Sequence, residues 1–191
     1  MSNTKHPLLQ SQAALSFSHM GFYVANAERM SAYYQSVLGF TETDKGLLGT
    51  VQLIFLSRDP HEHHQLVLAG GKPEGLNFNV INQISFRVPE LKVLRAVKAL
   101  AEQDKGTTEM VSVTHGNAIS IYFRDPEGNR IEVFIDTPWY CEQPLREAVD
   151  LTLDDEKIWA RAKEMASSRP KFQLRAEWQA EMSRRMGYTN L

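Results

Sequence analysis

FLSRDPHEHHQLVLAG, residues 55–70, and YFRDPEGNRIEVFI, residues 122–135, share the tripeptide Arg-Asp-Pro, at 58–60 and again at 124–126. In both, a β-type run leads into the tripeptide and a second apolar run follows a polar stretch. Strand, turn and strand is the reading of such a pattern. Its recurrence points to a duplication, which has to be recognised before any single element is assigned.

Working outward, FSHMGFYV (17–24) lies above INQISFRV (81–88), with Phe22 opposite Phe86, Val24 opposite Val88 and His19 opposite Gln83. Each run is followed by a helical stripe. In NAERMSAYYQSVLGF it is Met30, Tyr33, Tyr34 and Leu38, with Gly39 placed to end the helix; in ELKVLRAVKALAEQ it is Leu91, Leu94, Val97 and Leu100. Three β-type segments follow each helix: TETDKG, TVQLIFLSRDP and HQLVLAG in the first half, EMVSVTHG, AISIYFRDP and NRIEVFI in the second. The first strands are offset by 64 residues and the Arg-Asp-Pro turns by 66. The expected fold class is therefore α+β: two β-α-β-β-β modules, about 15–71 and 79–138, forming a cup-shaped mixed sheet, with function on its concave face.

An N-terminal tail, 1–14, precedes the modules, and a C-terminal helical extension, 139–191, follows them. From about Thr137 the strand signals stop. LDDEKIWARAKEMASS opens on Asp154 as a cap and carries Ile158, Ala162 and Met165 on one side. After Pro170, Leu174, Trp178, Met182 and Met186 recur at steps of four, a packing stripe. Trp139 and Tyr140 are read as packing residues too, and His6, in the tail, is given no role.

Composition narrows the classes. With 191 residues, 42% hydrophobic and 23% charged, and a net charge of -2, the chain is neither disordered nor fibrous. No basic patch calls for nucleic acid. No apolar run approaches a membrane span or a signal-peptide core, so the expectation is a cytoplasmic protein. Cys141, the one cysteine, cannot form an internal disulfide.

Glu132 sits between Ile131 and Val133, and a carboxylate in so apolar a strand either faces solvent or binds a cation. The repeat favours the cation, because His19 and Gln83 occupy equivalent first strands and Glu132 the last strand. Imidazole, amide oxygen and carboxylate together suit Fe(II), Mn(II), Zn(II) or Ni(II), with positions open to water and substrate. Aligning the two Arg-Asp-Pro turns without a gap sets Leu66 opposite Glu132 and gives His64 the same inward parity, leaving His61 and His63 in the turn.

The paired modules, YYQSVLGF after the first strand and YFRDPEGNRIEVF at the end resemble the vicinal oxygen chelate superfamily, over roughly residues 15–138. Glyoxalase I, fosfomycin-resistance proteins, bleomycin-binding proteins and extradiol ring-cleaving dioxygenases belong to it. The local match is to the extradiol type. That resemblance implies His19, Gln83 and Glu132 as metal ligands, with Fe(II) as the metal. It implies His64 in HHQLVL as the acid-base residue, and His115 in THGNAISIYF with Tyr122 as hydrogen-bonding residues. Gln83 departs from the pattern, standing where a second histidine is expected. Glyoxalase I would also place an acid in the last strand of the first module, where His64, Gln65 or Leu66 stands here.

The implied function is a metal-dependent oxidoreductase cleaving the ring of a catechol-like aromatic diol, working as a homodimer or higher homo-oligomer. A glyoxalase-like isomerase or lyase and a metal-free small-molecule binding protein are the alternatives.

Overall fold

The computed structural model describes residues 16–76 and 78–186, so the expected tail 1–14 lies outside the described residues. The chain divides into two compact units. The larger comprises Ser18–Ser112 and Ser120–Ile135; the smaller contains Val113–Ile119 and the residues from Asp136 onward.

The first module runs β1 (Met20–Val24), α1 (Ala27–Leu38), β2 (Thr41–Leu48), β3 (Val51–Ser57) and β4 (Leu66–Gly70). The second runs β5 (Ile84–Arg87), α2 (Leu91–Gln103), β6 (Thr108–Thr114), β7 (Ala118–Arg124) and β8 (Arg130–Asp136). Strand order is β1-β4-β3-β2 in one sheet and β5-β8-β7-β6 in the other, so the duplication read from the sequence is a duplication of topology. In each sheet the first strand of the module pairs in parallel with the last. The helix provides the crossover that a parallel pair requires. The two sheets are mixed, and no closed barrel forms among the described residues.

Local chemistry sets the boundaries of α1. The Asn26 side chain accepts from the Arg29 N–H at 2.9 Å, and Gly39 ends the helix at φ 69° with its N–H on the Gln35 carbonyl. A left-handed residue is what a helix C-terminus favours and what glycine adopts without a Cβ clash. Val24, Met30, Tyr34, Ile54, Leu56, Leu68, Leu94, Ile121 and Ile131 are each fully enclosed in the larger unit.

The two Arg-Asp-Pro turns have diverged. Asp59 is half-buried, and its carboxylate accepts from the His61 backbone N–H at 2.9 Å and meets the His61 ring. Asp125 is buried and accepts from the backbone of Glu127 and Asn129, from the Asn129 amide at 2.8 Å and from the Tyr34 hydroxyl at 3.2 Å. Burial pushes its carboxyl above the ordinary range, while those bonds pull the other way. Next to it, the Glu127 carboxylate accepts from the backbone N–H groups of Ala25 and Asn26 at 2.8–2.9 Å. A carboxylate from the second module thus caps the first helix of the first, where the helix dipole favours negative charge.

Register corrects one alignment. Met20 pairs with Leu66 and Ile84 with Ile131, so β1 and β5 correspond at an offset of 64 but β4 and β8 at an offset of 65. The structural counterpart of Glu132 is therefore Val67, not Leu66. The reason is turn length: β4 resumes six residues after Pro60, whereas Ile131 follows Pro126 by five. A one-residue slip exchanges the two faces of a strand. His64 accordingly precedes β4 and is placed by its turn.

In the smaller unit, strand structure continues past Thr137, against expectation: β9 (Trp139–Tyr140), β10 (Glu147–Ala148) and β11 (Gln173–Leu174) are two-residue strands. β10 pairs with the end of β6, and β11 with β9. Such short ladders leave too little alternation to be read in a sequence. The helices are α3 (Asp155–Ser167) and α4 (Arg175–Met186). Asp154 holds the cap position of α3 but makes no capping bond; its carboxylate pairs with Lys157. Trp139 meets Trp159 edge-on at 6.4 Å, and Tyr140 stacks on Trp178 at 5.1 Å, so both aromatics pack as expected. The α4 stripe is only half covered, with Leu174 and Met186 exposed. Among the described residues no helix is long and apolar enough to cross a membrane.

Candidate functional site

β8 buries one face throughout and Glu132 alone on the other, where Arg130, Phe134 and Asp136 are half-buried. Ile131, Val133 and Ile135 are buried on one side, and Glu132, on the other, is only 7% exposed. The solvent-facing reading of that carboxylate is therefore removed.

Four neutral donors surround it, each from a neighbouring strand or its lead-in. Oε2 accepts from the Gln83 amide nitrogen at 2.7 Å and from the Ser85 hydroxyl at 2.5 Å. Oε1 accepts from Ser120 at 2.9 Å and from the Tyr122 hydroxyl at 2.6 Å. Strand parity explains the convergence: Ser85 is the register partner of Glu132, Gln83 lies two residues before it, and Ser120 and Tyr122 lie two apart on β7. Of the residues singled out in the sequence, Gln83, Tyr122 and Glu132 are thus brought together. Ser85 and Ser120 were missed, although each stands two positions from a residue that was chosen.

His19 and His64 form a second cluster in the same unit. His19 stands one residue ahead of β1, as Gln83 stands one ahead of β5, so their correspondence holds. Its exposed ring lies 4.2 Å from that of His64, centroid to centroid. Phe55 packs against both His63 and His64. His63, read as incidental, meets His64 through their Nδ1 atoms at 2.9 Å. Burial, then the neighbouring imidazoles of His19 and His63, pushes the His64 ring below its ordinary value, and Glu62 opposes that. That shift favours the neutral imidazole, the form able to accept a proton.

His115 belongs to the smaller unit. Its Nδ1 lies 2.6 Å from the Leu145 carbonyl. A carbonyl only accepts, so Nδ1 is the donor in this contact.

Whether a divalent ion suits this set turns on Glu132. Among the described residues no three His, Cys, Asp or Glu side chains are grouped to share one. The two carboxylate oxygens differ. Oε1 is anchored by Ser120 and Tyr122, the outer hydrogen bonding that steadies a ligating carboxylate. Oε2 faces an amide and a hydroxyl, and both can turn an oxygen, in place of a proton, towards a cation. A cation on the Oε2 side would require both Gln83 and Ser85 to turn.

A family model described as the Glyoxalase/Bleomycin resistance protein/Dioxygenase superfamily matches residues 16–133, well over half of the chain. The chain belongs to that superfamily, the vicinal oxygen chelate group. It is 39% identical over 89 residues to biphenyl-2,3-diol 1,2-dioxygenase 3 of Rhodococcus globerulus, a match covering 44% of this chain and 46% of that protein. The chain thus spans about half the length of the curated relative it matches. A glyoxalase/bleomycin resistance protein/dioxygenase domain from Frankia sp. EAN1pec superposes with a TM-score of 0.57 at 16% identity, covering 64% of this chain and 98% of that one. At that identity the likeness is one of fold. The fosfomycin resistance protein FosX from Mesorhizobium loti gives a TM-score of 0.47 at 21% identity, over 62% of this chain and 89% of that one.

Proposed function

We propose that the chain is a metal-dependent oxidoreductase of the extradiol type, opening the ring of a catechol-like aromatic diol. One observation carries the reading: a buried carboxylate held at Oε1 by Ser120 and Tyr122, with Gln83 at Oε2, on the same fold as His64 beside His19. The 39% identity to a biphenyl-2,3-diol dioxygenase supports the substrate class. Since one fold serves several chemistries, the residues and not the architecture have to bear the argument.

His19, Gln83 and Glu132 would hold the divalent ion, Fe(II) in this reading, which when bound supplies Lewis acidity towards the two vicinal oxygens of the diol. The remaining work falls to this chain's side chains. Neutral His64 takes a proton from a diol hydroxyl and returns it later, acting as base and then acid. Tyr122 and Ser120 keep Glu132 in one orientation while charge at the site changes. Phe55, against the His64 ring, fixes the ring's position and shields one face from water. His115 is no part of this proposal.

The test is aerobic assay of iron-loaded protein with 2,3-dihydroxybiphenyl and a panel of catechols. Ring-cleavage absorbance with matching oxygen uptake is expected; absence of both across the panel would refute the reading. A second reading, a metal-free binding protein, is favoured by one fact: each Glu132 oxygen already accepts two protein hydrogen bonds. Diol binding that persists in excess chelator, with no turnover in iron, would decide for it.

A further inference from the structure

The serine beside Glu132 has no counterpart in the first module. The Ser85–Glu132 pair of β5 and β8 corresponds to Gly21–Val67 of β1 and β4. A Cβ on Gly21 would meet only the Val67 Cβ and carbonyl, at 3.6–3.7 Å. The fold therefore builds this strand pair with neither hydroxyl nor carboxylate, and Ser85 is not there to make the sheet. Its side chain does two things at once. It accepts from the Gln83 amide nitrogen at 2.9 Å and donates to Glu132 Oε2 at 2.5 Å. The Gln83 amide nitrogen also donates directly to Glu132 Oε2 at 2.7 Å, so its NH2, not its oxygen, faces the carboxylate, and Ser85 is a second acceptor holding it there. The Ser85 donation occupies a lone pair on the one carboxylate oxygen whose partners can turn towards a cation.

We propose that Ser85 is a latch on the metal site, lowering the affinity of the His19–Gln83–Glu132 set for a divalent ion. The inference rests on the metal-site reading above. Both contacts must give way before Oε2 and the amide oxygen are presented together, so both act in the same direction. Removing the hydroxyl frees a lone pair on Oε2 and takes away one of the two acceptors that hold the amide NH2. A charge-assisted hydrogen bond of this kind corresponds to roughly tenfold to hundredfold in a binding constant. Ser85 lies at an exposed position of β5, so truncation there opens no core cavity.

The experiment is titration of metal-free protein with Mn(II), the free ion counted by its electron paramagnetic resonance signal. It compares the wild type with Ser85→Ala, Ser85→Thr and Glu132→Ala, each checked for an unchanged melting temperature in chelator. Ser85→Ala is expected to bind Mn(II) about tenfold to hundredfold more tightly. Ser85→Thr, which keeps the hydroxyl, is expected to bind as the wild type does, and Glu132→Ala to lose the site. Equal or weaker binding by Ser85→Ala overturns the latch while leaving the metal site standing, because the hydroxyl is then a bystander or a ligand. If neither the wild type nor Ser85→Ala binds Mn(II), Fe(II) or Zn(II) at millimolar concentration, the metal-site reading fails and the latch with it.

Discussion

Glu127→Ala tests one of the contacts that join the two modules. The carboxylate accepts from two backbone N–H groups, Ala25 and Asn26, at 2.8–2.9 Å, and its side chain is 8% exposed. A hydrogen bond to a charged group contributes roughly 1.5–3 kcal/mol, so two give about 3–6 kcal/mol before correction. Ala25 and Asn26 are themselves exposed, and water entering the gap would recover part of that. The dipole of α1 adds about 0.3–1 kcal/mol. Lys72, 3.8 Å from the carboxylate, adds little, because its ammonium keeps its bond to the Glu127 carbonyl. The expected loss is therefore roughly 2–4 kcal/mol. Glu127→Gln, which keeps one acceptor and loses the charge, should show an intermediate loss of roughly 1–2 kcal/mol. The assay is urea unfolding followed by two probes. All three tryptophans, Trp139, Trp159 and Trp178, lie in the smaller unit, so fluorescence reports on that unit and far-UV circular dichroism chiefly on the larger. A shift of less than about 0.5 kcal/mol in the dichroism transition would refute the reasoning, because it would make the clasp no more than an exposed contact.

Three further outcomes are expected. Burial pushes the Tyr33 phenol up from 10.0 to about 12. Below pH 10 both states keep the proton; between pH 10 and about 12 only the folded state does, so stability falls as pH rises through that window, by up to about 2.7 kcal/mol. Tyr33→Phe should flatten this loss in urea unfolding at pH 9, 10.5 and 11.5, and an unchanged slope would contradict it. Gly116 has φ 71°, and a Cβ there would stand 2.6 Å from the Cys141 sulfur and 3.1 Å from Leu145. Gly116→Ala should thus destabilise the smaller unit by roughly 2–4 kcal/mol, read by tryptophan fluorescence, and a neutral outcome would show that the loop yields freely. His64→Asn should lower ring-cleavage turnover by about 10²–10⁴ with metal content unchanged, whereas turnover within a factor of a few would remove His64 from proton transfer.

Legibility followed the range of the interactions. Gly39 as the end of α1, the α1 stripe and the correspondence of His19 with Gln83 were readable, because each depends on a few neighbouring residues. The α2 stripe is buried at Leu91, Leu94 and Val97, but Leu100 is exposed and Ala101 is buried in its place. The correspondence of Val67 with Glu132 was not readable, because one extra residue after Pro60 changes register without altering the alternation of either strand. His63 looked incidental in sequence because only the folded turn brings its Nδ1 to His64. The two-residue strands β9, β10 and β11 escaped notice because two residues carry no period.

Repetition and alternation in the chain were enough to establish two β-α-β-β-β modules and to mark Glu132 as a carboxylate out of keeping with its strand. They could not say what meets it. Gln83, 49 residues away, and Ser120, 12 residues away, reach the same carboxylate only after β8 is flanked by β5 and β7. Periodicity is a property of consecutive residues and assigns a side chain to a face. Which side chains share that face depends on strand order and register, and those are set by turn lengths and by burial across the sheet.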